Sequence, residues 1–510
     1  MSPKIPAPFP EVFLSDLSTT KRVTRALDRG EIRKIGPRLY TTLVDRDAAD
    51  VVRQHWSRIA GLYFPQAVIG FRTVLDGGPA KADGAIFLTA AGADDIDLPG
   101  HRLRVVAGAG PTEGDMPYPG NVYWASTARA LLEAARPSRA RRGTARGYRR
   151  DELEAWLERH LQLGGEDELN RLRDQMRDLT HATGTPATLN AAAEWALLDG
   201  LIGALLGTRT THTFTAPTAR ARLAGRPYDQ HRVDQIRALH ATLSRRTFPG
   251  IPDPASAGRA ADHLAFFDAY FSNYIEGTTF EVDEARAMIF EGKEVPGRPA
   301  DAHDIHATYE LVRDPTFMRA GSRRWTTADA FIARLKQANA AVMRGRPAKR
   351  PGKIKEQVNK AGNTTFVEPT LVLGTLHECY PYVHALADPF ARALALMFMI
   401  TEVHPFADGN GRCARAFMNA ELVAAGCCRI VIPTVFREDY IGALRALTRQ
   451  GEPAPLLKVL AYAQRFTSEI RYEDLHTAIA LMTQCHAFEE DDDEQDRRLR
   501  LPSSLTVSSS

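Results

Sequence analysis

Residues His404-Pro405-Phe406-Ala407-Asp408-Gly409-Asn410-Gly411-Arg412-Cys413-Ala414-Arg415 collect, in one short run, a proton acceptor, a hard oxygen ligand, a pliable loop and two cations. Pro405 lacks an N–H, so a helix arriving at His404 cannot simply continue. Gly409 and Gly411 flank Asn410, and all three tolerate positive φ. A glycine-rich loop that opens a helix offers unpaired backbone N–H groups and the positive end of the dipole, which together bind anions. Arg412 and Arg415 stand one i,i+3 step apart in the first turn of that helix, where cations have the wrong sign for the dipole. Violations of this kind tend to mark function. A polyphosphate fits such a place. Asp408 is a ligand of the type that Mg²⁺ takes beside nucleotide phosphates, and His404 is a base poised near neutral pH. Competing motifs fail on spacing: there is no GxxxxGK[ST], and the glycine position and terminal glutamate of an EF-hand loop are missing.

The elements that must hold these residues are legible on either side. Leu394, Leu396, Met397, Phe398 and Ile400 predict a buried helix before the loop, and Ala416, Phe417, Ala420 and Leu422 a second one ending at Gly426. Upstream, Lys355 to Pro369 reads as a hairpin with Gly362-Asn363 at its turn, followed by Thr364, Thr365 and Phe366. Arg344, Arg346, Lys349, Arg350, Lys353 and Lys355 lead into it. They could attract an acidic target or nucleic acid, or simply make a solvated loop. Residues 261–275 predict an amphipathic helix with Leu264, Phe267, Tyr270 and Phe271 inward and Ser272 and Glu276 near its end, stopped by Gly277. A carboxylate in the last turn opposes the dipole, which implies a cationic partner for Glu276.

At 510 residues the chain is too long for one core. Its formal charge of +3 is nearly balanced and singles out no partner. Five cysteines without CxxC spacing argue against a disulfide framework or a structural zinc site. The first residues lack the apolar stretch of a signal peptide, and the longest apolar run, Ala393 to Ile400, is far short of the roughly 20 residues that span a bilayer. A cytoplasmic protein with no membrane partner is expected.

Residues 1–45 predict a small DNA-binding unit: a helix capped by Ser18-Thr19-Thr20 and stopped by Gly30, then a hairpin around Gly36-Pro37. Lys21, Arg22, Arg25, Arg33, Lys34 and Arg38 are its candidate DNA contacts. Residues 46–206 predict a small α/β region with strands near 85–89, 103–107 and 121–124, then helices. Between them lies an arginine run at 136, 139, 141, 142, 146, 149 and 150, a solvated face or a phosphate patch. Residues 207–228 read as a linker, 229–466 as a mostly α domain, and 487–510 as a disordered acidic and Ser-rich tail.

The run 404–415 resembles the Fic family, matching its pattern H-P-F-x-[DE]-G-N-G-R-x-x-R at every fixed position. The resemblance implies a protein adenylyltransferase that moves AMP from ATP to a target hydroxyl. In it His404 is the base, Asp408 the Mg²⁺ ligand and Phe406 a core anchor. Gly409, Asn410 and Gly411 bind phosphate oxygens, Arg412 and Arg415 neutralise the β- and γ-phosphates, and Tyr440 lies near the adenine. Residues 362–366 would form the flap that holds the target segment. Ser272-Asn273-Tyr274-Ile275-Glu276-Gly277 resembles the family's inhibitory pattern [ST]-x-x-x-E-[GN], which implies that Glu276 pairs with Arg415 and denies it to the γ-phosphate. Residues 1–206 resemble AbiE-type antitoxins, with an N-terminal winged helix.

The expected fold is therefore multidomain: a winged helix, a small α/β and helical region, and a mostly α Fic (Fido) domain with a β-hairpin flap. Expected partners are ATP, a target protein, DNA through the N-terminal half, and a second copy of the chain in a homodimer. Two alternatives stand beside this reading. One is a toxin–antitoxin-type DNA-binding regulator with a regulatory or vestigial Fic domain; the other is a Fic enzyme that transfers UMP, phosphocholine or phosphate, or removes AMP.

Overall fold

The computed structural model describes residues 9–92, 94–140, 143–181, 191–209, 213–490 and 498–505. The chain divides into two compact units, Met1–Leu223 and Ala224–Ser510.

The first unit opens with β1 (Val12–Leu14), α1 (Thr20–Asp28), β2 (Arg33–Gly36) and β3 (Leu39–Thr41), whose strands pair antiparallel in the order β1-β3-β2. The Asp16 carboxylate accepts from the Thr19 N–H at the start of α1, and Gly30 ends it at φ 70°. Val23 and Ala26 of α1 pack on Phe13 and Ile32, which leaves Lys21 and Arg25 exposed. The helix and hairpin expected here are present, together with β1, which the sequence did not announce.

Next come α2 (Ala48–Tyr63), β4 (Val68–Ile69), α3 (Phe71–Leu75), β5 (Ala85–Ala90), β6 (Ile96–Leu98), β7 (His101–Ala107), β8 (Met116–Tyr118) and β9 (Val122–Trp124). The strands form a mixed sheet in the order β6-β7-β5-β4-β9-β8, with β5/β7 and β4/β9 parallel. Helices α4 (Thr127–Ala134), α5 (Arg150–His181, broken at Gly165), α6 (Ala192–Leu205) and α7 (Pro217–Leu223) follow. Helix α7 stands where a linker was expected. The Glu154 carboxylate accepts from the Thr215 and Ala216 N–H groups, and Phe214, Ala216 and Ala219 join the core of α5 and α6. The reading of 207–228 as a linker is corrected for this stretch, because its polar composition hid three inward apolar residues.

The second unit is helical: α8 (Gln230–Leu243), α9 (Gly258–Ile275), α10 (Val282–Glu291), α11 (Pro299–Arg313), the single turns α12 (Pro315–Met318) and α13 (Gly321–Arg324), and α14 (Ala328–Val342). The hairpin β10 (Lys360–Ala361) and β11 (Thr364–Thr365) comes next. Then follow α15 (Val372–His384), α16 (Pro389–Val403), α17 (Asn410–Ala424), α18 (Arg437–Gln450), α19 (Ala454–Glu469), α20 (Leu475–Gln484) and α21 (Pro502–Leu505). Helix α16 begins with Pro389 in its first turn and Asp388 accepting from the Ala391 N–H, a favoured start. It is buried along nearly its whole length, and α17 packs along it.

The boundary at residue 466 is too early. Tyr472, Ala478, Met482 and Cys485 are buried, and the Thr434 N–H donates to the Ala487 carbonyl. The expected disordered tail is corrected for residues 487–490 and 498–505: Phe488 stacks on Phe271, and the Tyr462 hydroxyl donates to the Leu499 carbonyl. Residues 491–497 and 506–510 of that tail lie outside the described residues. Among the described residues no helix is long and apolar enough to cross a membrane.

Candidate active site

The site is built where α16 stops and α17 starts. His404 caps α16 in the left-handed region at φ 51°, ψ 60°, with its N–H still donating to the Ile400 carbonyl. A non-glycine residue held there marks a place where the surroundings over-determine the backbone. Its Nδ1 lies 3.2 Å from the Thr401 carbonyl, which can only accept, so Nδ1 carries the proton and Nε2 keeps a free lone pair. Burial pushes the imidazole pKa down to about 4; the Thr401 carbonyl opposes this and the nearby Lys355 cation adds to it. His404 is therefore a neutral base at neutral pH. The Phe366 ring stacks on it with centroids 3.8 Å apart.

The loop is locked by Asn410. Its Oδ1 accepts from the Phe406 N–H at 2.9 Å and its Nδ2 donates to the Phe406 carbonyl at 2.8 Å. Asn410 was expected on a phosphate; its carboxamide is instead spent on the loop, and only its backbone N–H is left for an anion. Phe406 is 1 % exposed and sits in the core as expected. Gly409 has φ 79°, and a Cβ there would meet Met343 Sδ at 2.7 Å, so both backbone and space require glycine. The first-turn N–H groups of α17 have no partner within the helix. Asp408 accepts from the Gly409 N–H at 2.6 Å and lies 3.3 Å from Arg412 Nη2. No group of three or more metal-ligating side chains occurs among the described residues.

The two arginines are both engaged. Arg412 places Nη1 2.7 Å from Asp304 Oδ2 on α11, with Asn273 Oδ1 at 3.4 Å. It was expected to meet the β-phosphate, and in this state it braces the loop from behind. Arg415 donates Nε to Ser272 Oγ at 2.9 Å, and Nη2 to the Ser272 carbonyl at 2.8 Å and to Glu276 Oε1 at 2.7 Å. Burial would raise the Glu276 pKa, but the Arg415 cation outweighs it and holds the carboxyl below its ordinary range. A Cβ on Gly411 would lie 2.0 Å from Glu276 Oε1, so the carboxylate rests on the N-terminal turn of α17, where an anion would bind. Gly277 follows at φ 87°.

The hairpin is tied to the same loop. Asn359 Nδ2 donates to the Phe406 and Ala407 carbonyls, Ile354 bridges to Phe406, and Arg232 Nη2 donates to the Thr365 carbonyl. Arg232 also pairs with Glu402 of α16 at 2.5 Å. Gly362 turns the hairpin at φ 54°; Asn363 and Thr365 are exposed, and Thr364 and Phe366 are half-buried. Tyr440 is 2 % exposed with its hydroxyl on Met397 Sδ, so the expected adenine contact is corrected: a ring packed this tightly has no face for a base.

In the first unit, Lys21, Arg25, Lys34 and Arg38 are exposed, Arg22 lies over the Phe9 ring, and Arg33 donates to the Arg46 carbonyl. The arginine run is largely consumed internally: Arg136 faces Glu194, Arg149 faces Asp151, Arg150 faces Glu154, and Arg146 lies over Phe71. Arg141 and Arg142 lie outside the described residues. Reading the sequence missed Asp304, Asn339 and Arg232. Asn339 Nδ2 donates to the Asp408 carbonyl. Each is a single polar residue on a helix, with no local pattern to distinguish it from a solvated face.

Residues 331–422 match the model of the Fic/DOC family. The protein adenylyltransferase fic-1 of Caenorhabditis briggsae is 24% identical over 222 residues, 42% of this chain and 43% of that protein. Its Caenorhabditis elegans counterpart is 24% identical over 231 residues, 44% of each. The chain thus spans less than half the length of these relatives. A solved fragment of C. elegans Fic-1 aligns over 66% of this chain and 90% of its own at 16% identity, with a TM-score of 0.35.

Proposed function

We propose that this chain, whose second unit carries a Fic/DOC-family domain, is an auto-inhibited protein adenylyltransferase that moves AMP from ATP to a hydroxyl of a target protein. The observation that carries the reading is a neutral His404, with Nε2 open, beside a helix N-terminus that Glu276 occupies through Arg415. In the reaction the target oxygen attacks the α-phosphorus as its proton passes to Nε2, and the bond to the departing pyrophosphate breaks. The α17 amides and Arg415, once Glu276 withdraws, take up the phosphate charge. Arg412 and Asn410 hold the loop in register. Asp408 is the residue that would hold Mg²⁺; a single carboxylate with phosphates and waters completing the shell suits that ion, which rarely takes an all-protein cage. When bound, Mg²⁺ would neutralise phosphate charge. Residues 360–366 act as the flap, aligning an extended target segment along the hairpin edge. A cytoplasmic setting belongs to the same proposal.

The test is transfer from α-labelled ATP by Glu276→Gly, by the wild type, and by Glu276→Gly with His404→Ala. Labelling of the first alone supports the assignment. Equal labelling of the first and third removes His404 as the base.

The exposed Lys21, Arg25, Lys34 and Arg38 on a helix and hairpin favour a second role, DNA binding by a winged-helix-like element. Binding of the full chain to duplex DNA that weakens with salt, and more weakly still after Lys34→Ala, tests it.

A further inference from the structure

Lys355 is a buried cation that no step above uses. It is 4 % exposed, and its Nζ has no hydrogen-bond partner. Its backbone N–H donates to the Pro405 carbonyl at 3.0 Å, and Nζ lies 6.0 Å from the centroid of Phe366, the ring stacked on His404. Burial pushes its amine down to about 8, opposed by the attraction of Glu368 and aided by the repulsion of Arg232, so at neutral pH it remains mostly charged. Glu368 is close enough to attract the ammonium, but Nζ makes no hydrogen bond among the described residues, and a buried cationic donor without a hydrogen-bond acceptor is unfavourable.

Lys355 lines a cleft of about 370 Å³ together with Lys349, Arg350, Lys353, Asn359 and one carboxylate, Glu356. Arg350 is paired with Glu356, whereas the exposed Lys349 and Lys353 have no ion pair among the described residues. Gly411, Arg415 and Glu276 are not part of this lining, so the cleft and the phosphate site are separate places. The walls come from the segment leading into the hairpin and from the loop next to His404, the side on which an extended target would lie.

We propose that this cleft is a target subsite for an acidic side chain, seated on Lys355 while the neighbouring hydroxyl reaches His404. The inference rests on the transferase reading and adds to it the chemistry of the target: a Ser, Thr or Tyr flanked by Asp or Glu. Lys355 is a specificity residue, with Lys349 and Lys353 supplying the surrounding field.

Three fluorescent peptide sets test this, each with a single Thr and alike except for Asp, Asn or Lys at the flanking positions. They are titrated by anisotropy into full-length Glu276→Gly protein and into its Lys355→Met and Lys355→Arg derivatives, with AMP transfer read in parallel. A charge-assisted hydrogen bond predicts that the Asp set binds at least about tenfold tighter than the Asn set. Lys355→Met should erase that ratio and Lys355→Arg keep it. Equal binding of Asp and Asn sets, or a ratio that survives Lys355→Met, overturns the proposal. Should Lys355→Met not fold, the Lys349→Met, Lys353→Met double variant decides on exposed positions: a reduced ratio supports the cleft, an unchanged one overturns it. An Asp preference without any AMP transfer would leave the subsite standing and sink the transferase reading instead.

Discussion

Replacing Glu276 by glycine removes the contact that keeps Arg415 occupied. The charge-assisted hydrogen bond at 2.7 Å from Arg415 Nη2 is worth about 1.5–3 kcal/mol, and a carboxylate on a helix N-terminus adds about 0.3–1 kcal/mol. Ser272 still holds Nε and Nη2 of Arg415, so the guanidinium stays in place to meet a phosphate. A competing γ-phosphate is thus spared about 2–4 kcal/mol, which at 1.36 kcal/mol per decade corresponds to a rate gain of about 30- to 1000-fold. The assay is the initial rate of AMP incorporation from α-labelled ATP below saturation, with nucleotide affinity measured by calorimetry. Glu276→Gln, which keeps the volume and loses the charge, should fall between wild type and Glu276→Gly. Equal rates for wild type and Glu276→Gly, or a gain in rate with no gain in nucleotide affinity, would refute the reasoning.

Other outcomes follow from the same contacts. A base must be unprotonated, and burial lowers the His404 pKa from 6.5 to about 4, so the acid limb of kcat/KM for Glu276→Gly should lie well below pH 6. Phe366→Ala uncovers the imidazole and should move that limb upward. The same shift bears on stability: the folded state binds this proton less readily than the unfolded chain, so the contribution is complete above about pH 6.5 and is lost as pH falls toward about 4, which acid denaturation monitored by circular dichroism reads. Asp304→Asn removes the 2.7 Å, buried counter-charge of Arg412 and leaves it the longer contacts to Asp408 and Asn273, which should destabilise the second unit by about 3 kcal/mol in chemical denaturation, with a raised KM for ATP.

The loop 404–415 could be read from sequence because its constraints are local: Pro405 stops a helix, Gly409 must adopt positive φ, and the charges break the dipole rule within a few residues. Glu276 was legible for the same reason, as a carboxylate at the wrong end of α9. What stayed hidden depends on approach between distant segments. Asp304 reads as an ordinary acidic residue of α11 until α17 brings Arg412 against it. Asn410 looks like a phosphate ligand until its carboxamide is seen on both backbone groups of Phe406. Lys355 looks like one more cation of a basic loop, and nothing local says that it alone is buried. Helix α7 was missed because Thr, Pro, Gly and Arg dominate its neighbourhood, while the buried Glu154 that accepts from its leading N–H groups lies far away in sequence.

Glu276 sits at the C-terminal end of a long helix rather than in its middle. Three backbone hydrogen bonds secure that end, from the N–H groups of Glu276, Gly277 and Thr278 to the carbonyls of Asn273 and Tyr274. Gly277 has open space where a side chain would be. Phe267 and Phe271, in the core, lie one to three turns back along the same helix and take no part in those three bonds. The contact proposed to restrain the site thus depends on three backbone bonds at a helix tip, where substitution of Gly277 is expected to alter it before any core residue is reached.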